Sequence, residues 1–343
     1  MRAALLRSGR LAVEEIESPV PRAGQALVRT LACGICGSDL HRIHSSAAAG
    51  DPAPLVMGHE YCGELMDYGP GSIGALGPGT HVVSFPFIEG ADGGQIIGYS
   101  PDFPGGFGER MVLDAASLLP VPNGLDPGVA ALTEPMAVGE HAVGLAQIEP
   151  GDAAMVVGCG PVGLAVICAL RRRGIGRVTA LDFSAARRAL AEKLGAERVV
   201  DPANEGAHQT WAELGFADEP DMAMIAYARE TWSRRAVIFE CVGAPGVIRS
   251  IIDAAPLGAT IVVAGACVGE DRFTPISALT KELSIKFSNA YSRTDFAETL
   301  RRLAEGELAA AAMITRQIDL EEVPAAVDAL AHPTEAKVMI RHR

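Results

Sequence analysis

Residues 155–182 constrain this chain more than any other stretch. Met155-Val156-Val157 is an apolar run, followed at once by Gly158-Cys159-Gly160-Pro161-Val162-Gly163 and then by an apolar helical pattern over 164–170. Residues 177–181 read as a second strand, with Asp182 at its end. Strand, glycine turn, helix, strand and acid make the setting in which G-x-G-x-x-G marks a dinucleotide site rather than an ordinary turn. Gly158 serves the tight turn, Gly160 lets the backbone approach a pyrophosphate, and Gly163 lets helix and strand pack closely. The diphosphate then rests on free N–H groups at the positive end of the helix. Asp182 can accept hydrogen bonds from both hydroxyls of an adenosine ribose, and its charge repels a 2′-phosphate, so the residues favour NAD over NADP. Arg187 follows soon after; it can stack on adenine or, as the lesser reading, attract a 2′-phosphate.

The chain has 343 residues, and at roughly 100–200 residues per domain it holds two domains, each able to bury a core. Apolar residues make up 49% and charged residues 21%, the balance of a soluble globular protein. A net charge of −13 argues against nucleic acid or an anionic membrane as partner. No window approaches the ~18–20 uninterrupted apolar residues that span a bilayer. The start, Met1-Arg2-Ala3-Ala4-Leu5-Leu6-Arg7, lacks the apolar core and cleavage site of a signal peptide. Seven scattered cysteines form no disulfide framework. A reducing cytoplasm is the expected location.

Residues 11–32 hold short strand-like runs, clearest over 25–31, and further strands are expected at 58–63, 81–85 and 107–113. The glycine- and proline-rich residues 86–106 read as a long loop. Helices are expected over 126–132 and 135–146, and Pro150-Gly151-Asp152 reads as a turn at a domain boundary. Beyond it, strands and helices alternate as in parallel α/β proteins: helix 184–194, strand 198–200, strand 236–242, helix 247–255 and strand 259–265. Residues 204–235 are polar and fit this scheme poorly. Helices over 296–306 and 323–330 and a strand over 337–341 close the chain.

A second constellation precedes the nucleotide stretch: Cys33-Gly34-Ile35-Cys36-Gly37-Ser38-Asp39-Leu40-His41, then Gly58-His59-Glu60. A catalytic zinc needs about three protein ligands and one open position. Cys36, His59 and either Glu60 or Glu134 supply such a set. Each has a plainer reading: a buried cysteine, a chance tripeptide, an acid favoured at a helix start. Cys33-x-x-Cys36 also matches a thioredoxin-like redox pair, but that motif needs a βαβ setting, and the segment reads as strand and turn.

Together the two constellations resemble the zinc-containing medium-chain dehydrogenase/reductase family, the alcohol and polyol dehydrogenases. The markers run in order along the whole chain: 33–41, Gly-His-Glu at 58–60, Gly-Gly-Phe-Gly-Glu at 105–109, Glu-Pro at 134–135 and the glycine fingerprint at 158–163. The resemblance implies an α/β protein, with a doubly wound parallel Rossmann sheet over 150–289 and a β-rich GroES-like catalytic domain over 1–149, completed by 290–343. It implies that Cys36 and His59 are catalytic zinc ligands and that Asp39 holds the histidine. Ser38 matches the hydroxyl that touches the substrate oxygen, and His41 the outer end of a proton relay through the cofactor ribose. By itself His41 is equally a surface histidine beside His44. Glu60 or Glu134 completes the metal set. Members with a structural zinc carry four close-set cysteines at about 81–108; this chain has none there, so one zinc per chain is expected. The implied reaction is hydride transfer between a small alcohol or polyol and NAD, giving an aldehyde or ketone. Two other readings stand beside it: a zinc-free NAD(P)H-dependent reductase of the same fold, and a non-catalytic NAD-binding protein. The family also implies a homodimer or homotetramer, with the strand 259–265 near a subunit contact. Substrate is expected between the domains, against loops at about 42–57, 86–104 and 266–294 with Phe85, Phe87, Tyr99, Phe103 and Tyr291 as aromatic candidates.

Overall fold

A computed structural model describes residues 1–49, 53–72, 74–90, 93–216, 235–330 and 334–342. The chain divides into two compact units, Met1–Glu134 with Phe296–Arg343, and Pro135–Asp295. The division falls inside the helix Thr133–Ala146, whereas the sequence places the boundary at the Pro150-Gly151 turn.

The first unit is built around the strand Gln25–Gly34, whose burial alternates as a strand with one face on a core should. It pairs antiparallel with Glu60–Tyr68 along one edge; on the other, Arg110–Asp114 covers its first half and Lys337–Arg341 its end. Ile314–Ile318, His81–Ser84 and Leu118–Pro120 extend this sheet to seven strands. A three-stranded sheet of Arg10–Glu15, Arg2–Arg7 and Leu55–Val56 lies beside it. Leu6, Val28, Leu65, Phe107, Met111 and Val338 are among the buried side chains that fill the core of this unit. The fold thus carries the chain's last strand back beside its third, so that Gly34 has Glu60 on one flank and Met339 on the other.

Two expectations need correction here. The segment after Cys36 is not strand and turn: Gly37–Ala49 is a helix of 13 residues. Ser38 and Asp39 lie in its first turn, and the small residues Ala47-Ala48-Ala49 suit its far end. Residues 86–106 are not simply a loop, because Phe87–Gly90 and Gly93–Ile96 form an antiparallel hairpin. Its β-branched and aromatic residues are too few, and its glycines too many, for the alternation to register in sequence.

The second unit holds six parallel strands in the spatial order Arg198–Val200, Arg177–Leu181, Ala153–Val157, Ala236–Glu240, Thr260–Val263, Ser284–Phe287. By chain order this is 3-2-1-4-5-6, the doubly wound arrangement in which ligands bind at the carboxyl ends of the strands, where the order reverses. Thr260–Val263 lies between two neighbours, so the expected contact strand at 259–265 has no free edge. Among the described residues the edges belong to Arg198–Val200 and Ser284–Phe287, the latter inside a stretch read from sequence as a pocket loop. Most of the poorly fitting 204–235 lies outside the described residues; its beginning holds the helix Ala207–Glu213. No helix among the described residues is long and apolar enough to cross a membrane.

Candidate active site

The strand Gln25–Gly34 ends two residues before Cys36, and the helix Gly37–Ala49 starts just after it. Cys36 is therefore held at a strand-to-helix junction, and Asp39 fastens that junction by accepting the Cys36 N–H at 2.9 Å through Oδ2. His59 immediately precedes the strand Glu60–Tyr68, which pairs with Gln25–Gly34, and this pairing draws the two segments together. The ligand atoms of Cys36, His59 and Glu60 all lie within 4.8 Å of one another, the one cluster of this kind among the described residues.

Acidic groups gather around the imidazole of this cluster. His59 is buried, and its Nδ1 has no hydrogen-bond partner; the nearest acid, Asp39 Oδ1, is 3.6 Å away. Burial disfavours a charged imidazole, yet Asp39 and Cys36 together outweigh it and hold the His59 pKa well above its ordinary value. A metal fits this donor set: a thiol, an imidazole whose other nitrogen faces a carboxylate, and a carboxylate one residue on. Glu60 does not stand alone. The fully buried Lys337 donates to its two carboxylate oxygens at 2.7 and 2.6 Å and to the Ile35 carbonyl at 3.2 Å. Burial works against the Lys337 charge, but Glu60 raises its pKa nonetheless. Glu134 lies in the first turn of the helix Thr133–Ala146 and is not part of the three-residue cluster.

Around the cluster, Tyr99 donates to Ser38 Oγ at 2.8 Å and lies 3.3 Å from Asp39 Oδ1, with its ring 5.3 Å from that of His59. His41 is exposed one turn along the helix from Ser38, as is His44. Cys33 is completely buried in the core, and burial, then the charges of Asp39 and Glu60, pushes its thiol well above the ordinary value. It packs rather than reacts. The five aromatic candidates separate. Phe85 and Phe87 stack at 4.8 Å, Phe103 belongs to the core, Tyr291 is buried in the other unit, and only Tyr99 reaches the cluster.

In the second unit, Gly158 has φ +92°, a conformation L side chains rarely adopt, and a Cβ on Gly163 would sit 1.9 Å from the Gly158 carbonyl oxygen. A Cβ on Gly160 would meet no atom within 4 Å. No side chain caps the helix Pro161–Arg172, and the first N–H groups of a helix have no partner within it. This is a cradle for an anionic diphosphate. Asp182 accepts the Cys159 N–H at 2.8 Å and the Ser184 N–H at 2.8 Å, and so ties the second strand to the glycine turn. Arg188, rather than Arg187, wraps this corner: it donates to the carbonyls of Asp182 at 2.7 Å and Phe183 at 2.9 Å and pairs with Asp201 at 3.1 Å. The Arg187 N–H lies 3.4 Å from Ser184 Oγ, at the helix cap.

Sequence reasoning singled out neither Lys337 nor the role of Tyr99. A lone lysine in a C-terminal strand and a tyrosine in a glycine-rich turn carry no local signal, since their partners lie far away in the chain.

Known proteins bear on this geometry. Residues 22–123 match the alcohol dehydrogenase GroES-like domain, and residues 161–305 match the zinc-binding dehydrogenase model. The chain is 30% identical over 329 residues to the (R,R)-butanediol dehydrogenase of Bacillus subtilis, covering 91% of this chain and 90% of that one. It is 30% identical over 319 residues to the L-galactonate-5-dehydrogenase of Escherichia coli, covering 88% and 86%. Among solved structures, the 2R,3R-butanediol dehydrogenase of B. subtilis superposes with a TM-score of 0.83 at 28% identity, over 100% of this chain and 99% of that one. A Sinorhizobium meliloti protein assigned as a zinc-binding dehydrogenase, solved with NADP, superposes with a TM-score of 0.85 at 26% identity, over 99% of each. This chain belongs to the zinc-containing medium-chain dehydrogenase/reductase family and is an NAD(P)-dependent oxidoreductase of the alcohol and polyol dehydrogenase type.

Proposed function

We propose that the protein oxidises a small secondary alcohol or vicinal diol to the ketone with NAD, at one zinc per chain held by Cys36, His59 and a glutamate. The convergence of Cys36, His59 and Glu60 within 4.8 Å carries this reading. Of the two glutamates, Glu60 is the better third ligand or near neighbour, with Glu134 as the alternative. Zinc bound there supplies Lewis acidity that lowers the pKa of the alcohol hydroxyl. Bound nicotinamide supplies the hydride acceptor. Asp39 orients His59 from its Nδ1 side, Ser38 Oγ takes the hydroxyl proton, and His41, three residues on and exposed, exchanges a proton with solvent.

Gly158, Gly160, Pro161, Val162 and Gly163 would hold the diphosphate and Asp182 the ribose, with Arg187 beside the adenine. Asp182 supports NAD over NADP, and its carboxylate is already braced by two backbone donors. NADH is expected to bind ~10–100-fold tighter than NADPH, the factor that charge-assisted hydrogen bonds of about 1.5–3 kcal/mol confer. Fluorescence titration with each cofactor measures it; equal affinities would return the 2′-phosphate reading of Arg187. Turnover of (2R,3R)-butane-2,3-diol, the substrate class in the names of two similar proteins, should vanish on chelation and return with Zn2+. Activity that survives full zinc removal would favour the zinc-free reductase.

The protein is further proposed to form a homodimer or homotetramer in the cytoplasm. Among the described residues no strand pairs with the outer side of Ser284–Phe287, which exposes Phe287 by 71%; Leu279 and Val268 in the same unit are exposed by 69% and 85%. An unpaired strand edge rimmed by apolar side chains is a surface that natural proteins cover.

A further inference from the structure

The tyrosine beside the metal-ligand cluster has no role in the account above. Tyr99 lies in the turn after the hairpin strand Gly93–Ile96, where its N–H donates to the Ile96 carbonyl at 3.0 Å. The preceding Gly98 has φ +84°, and a Cβ there would sit 2.9 Å from the Gly58 nitrogen. Only glycine lets this turn press on the backbone just before His59, so the tyrosine is delivered by a rigid contact rather than a free loop. Its hydroxyl then stands 2.8 Å from Ser38 Oγ and 3.3 Å from Asp39 Oδ1, the same oxygen that faces His59.

We propose that Tyr99 is a positioning residue for proton transfer: its hydroxyl donates to Ser38 Oγ and thereby sets the direction in which Ser38 passes a proton. The inference rests on the reading of Ser38 as the proton acceptor. A serine hydroxyl has one hydrogen and two lone pairs. With one lone pair held by Tyr99, the other is left to receive the alcohol proton, and Ser38's own hydrogen is turned outward. As the alcohol O–H breaks, its electron pair stays on the substrate oxygen, a new Oγ–H bond forms, and the original serine proton is handed on along the relay towards His41 and solvent, so Ser38 stays neutral. The opposite polarity, Tyr99 donating to Asp39 while Ser38 donates to Tyr99, would commit the serine hydrogen inward and stall the relay. A hydroxyl that donates to an ionised carboxylate closes to about 2.5–2.7 Å; the 3.3 Å to Asp39 Oδ1 is well beyond that, while 2.8 Å to Ser38 Oγ is an ordinary O–H···O bond, which favours the first arrangement.

Tyr99→Phe keeps the ring against His59 and removes only the hydroxyl. Crystal structures of the zinc-loaded wild type and Tyr99→Phe should show Ser38 Oγ in one rotamer in the first and spread over two or more in the second. With (2R,3R)-butane-2,3-diol as probe, kcat should fall about 10-fold, part of the roughly 10²–10⁴ that positioned proton transfer supplies. The solvent deuterium isotope effect on kcat should rise, while zinc content and NADH affinity stay at wild-type values. In a Ser38→Ala background the same change should have no further effect. An unchanged Ser38 rotamer overturns the proposal whatever the kinetics, and so does an unchanged kcat and isotope effect. Loss of zinc in Tyr99→Phe overturns it too, since the hydroxyl would then act by holding His59. If Ser38→Ala alone turns over at the wild-type rate, the reading of Ser38 itself has failed; if Ser38→Ala is slow and Tyr99→Phe is not, only the role of Tyr99 has.

Discussion

Asp39 shows how much one side chain can organise. Its Oδ2 fixes the Cys36 backbone, its Oδ1 faces His59, and its neighbour Ser38 is held by Tyr99. Cys36, Ser38, Asp39 and His59 were legible in the sequence because three of them share one short motif whose residue types are those of a metal site. Lys337 was not legible: its partner Glu60 is 277 residues away, and only the pairing of the last strand beside Gly34 brings them together. Both ends of that ion pair are almost completely buried. Removing one partner of such a pair leaves an uncompensated charge, at a cost of about 3–5 kcal/mol. Lys337→Met should lower stability by that amount in urea unfolding, and Glu60→Gln with Lys337→Met should recover much of it. A single mutant as stable as wild type would mean that the charge finds water.

At the scale of elements, five of the six parallel strands of the second unit announced themselves through their apolar runs and the turns between them. The helix Gly37–Ala49 did not, because it opens on glycine and serine and its core-facing side carries only Leu40 and Ile43 as large apolar residues, beside the buried Asp39 and Ser46. The edge strand Ser284–Phe287 was missed for a related reason. It is short, carries Lys286 in its middle and is only partly buried. Two predictions belong here. Gly163→Ala drives a methyl group into the Gly158 carbonyl and must move the glycine turn. NADH affinity should fall ~10-fold or more, the equivalent of about 1.4 kcal/mol, with zinc content unchanged; wild-type affinity by fluorescence titration would show that the turn gives way freely. Phe287→Asp places a charge on the free edge. Light scattering coupled to gel filtration should show a shift to a smaller species, and an unchanged assembly would place the contact elsewhere.

For the whole molecule, the chemistry divides between the units as the chain does. The cluster that could hold a metal, Ser38 and Tyr99 lie in Met1–Glu134, and the glycine turn with Asp182 lies in Pro135–Asp295. The order of the motifs made this division legible from sequence, while its position within the helix Thr133–Ala146 was hidden, since a continuous helix carries no turn signal. Relatives covering about nine-tenths of the chain share both halves, which fixes the class of reaction and leaves metal stoichiometry to be measured. The most direct test of the account is the zinc content of the purified protein, with NADH fluorescence on the same sample. The account predicts about one zinc per chain, lost in Cys36→Ala and in His59→Ala while NADH binding persists. Two zinc ions per chain, or none with NADH still bound, would contradict it.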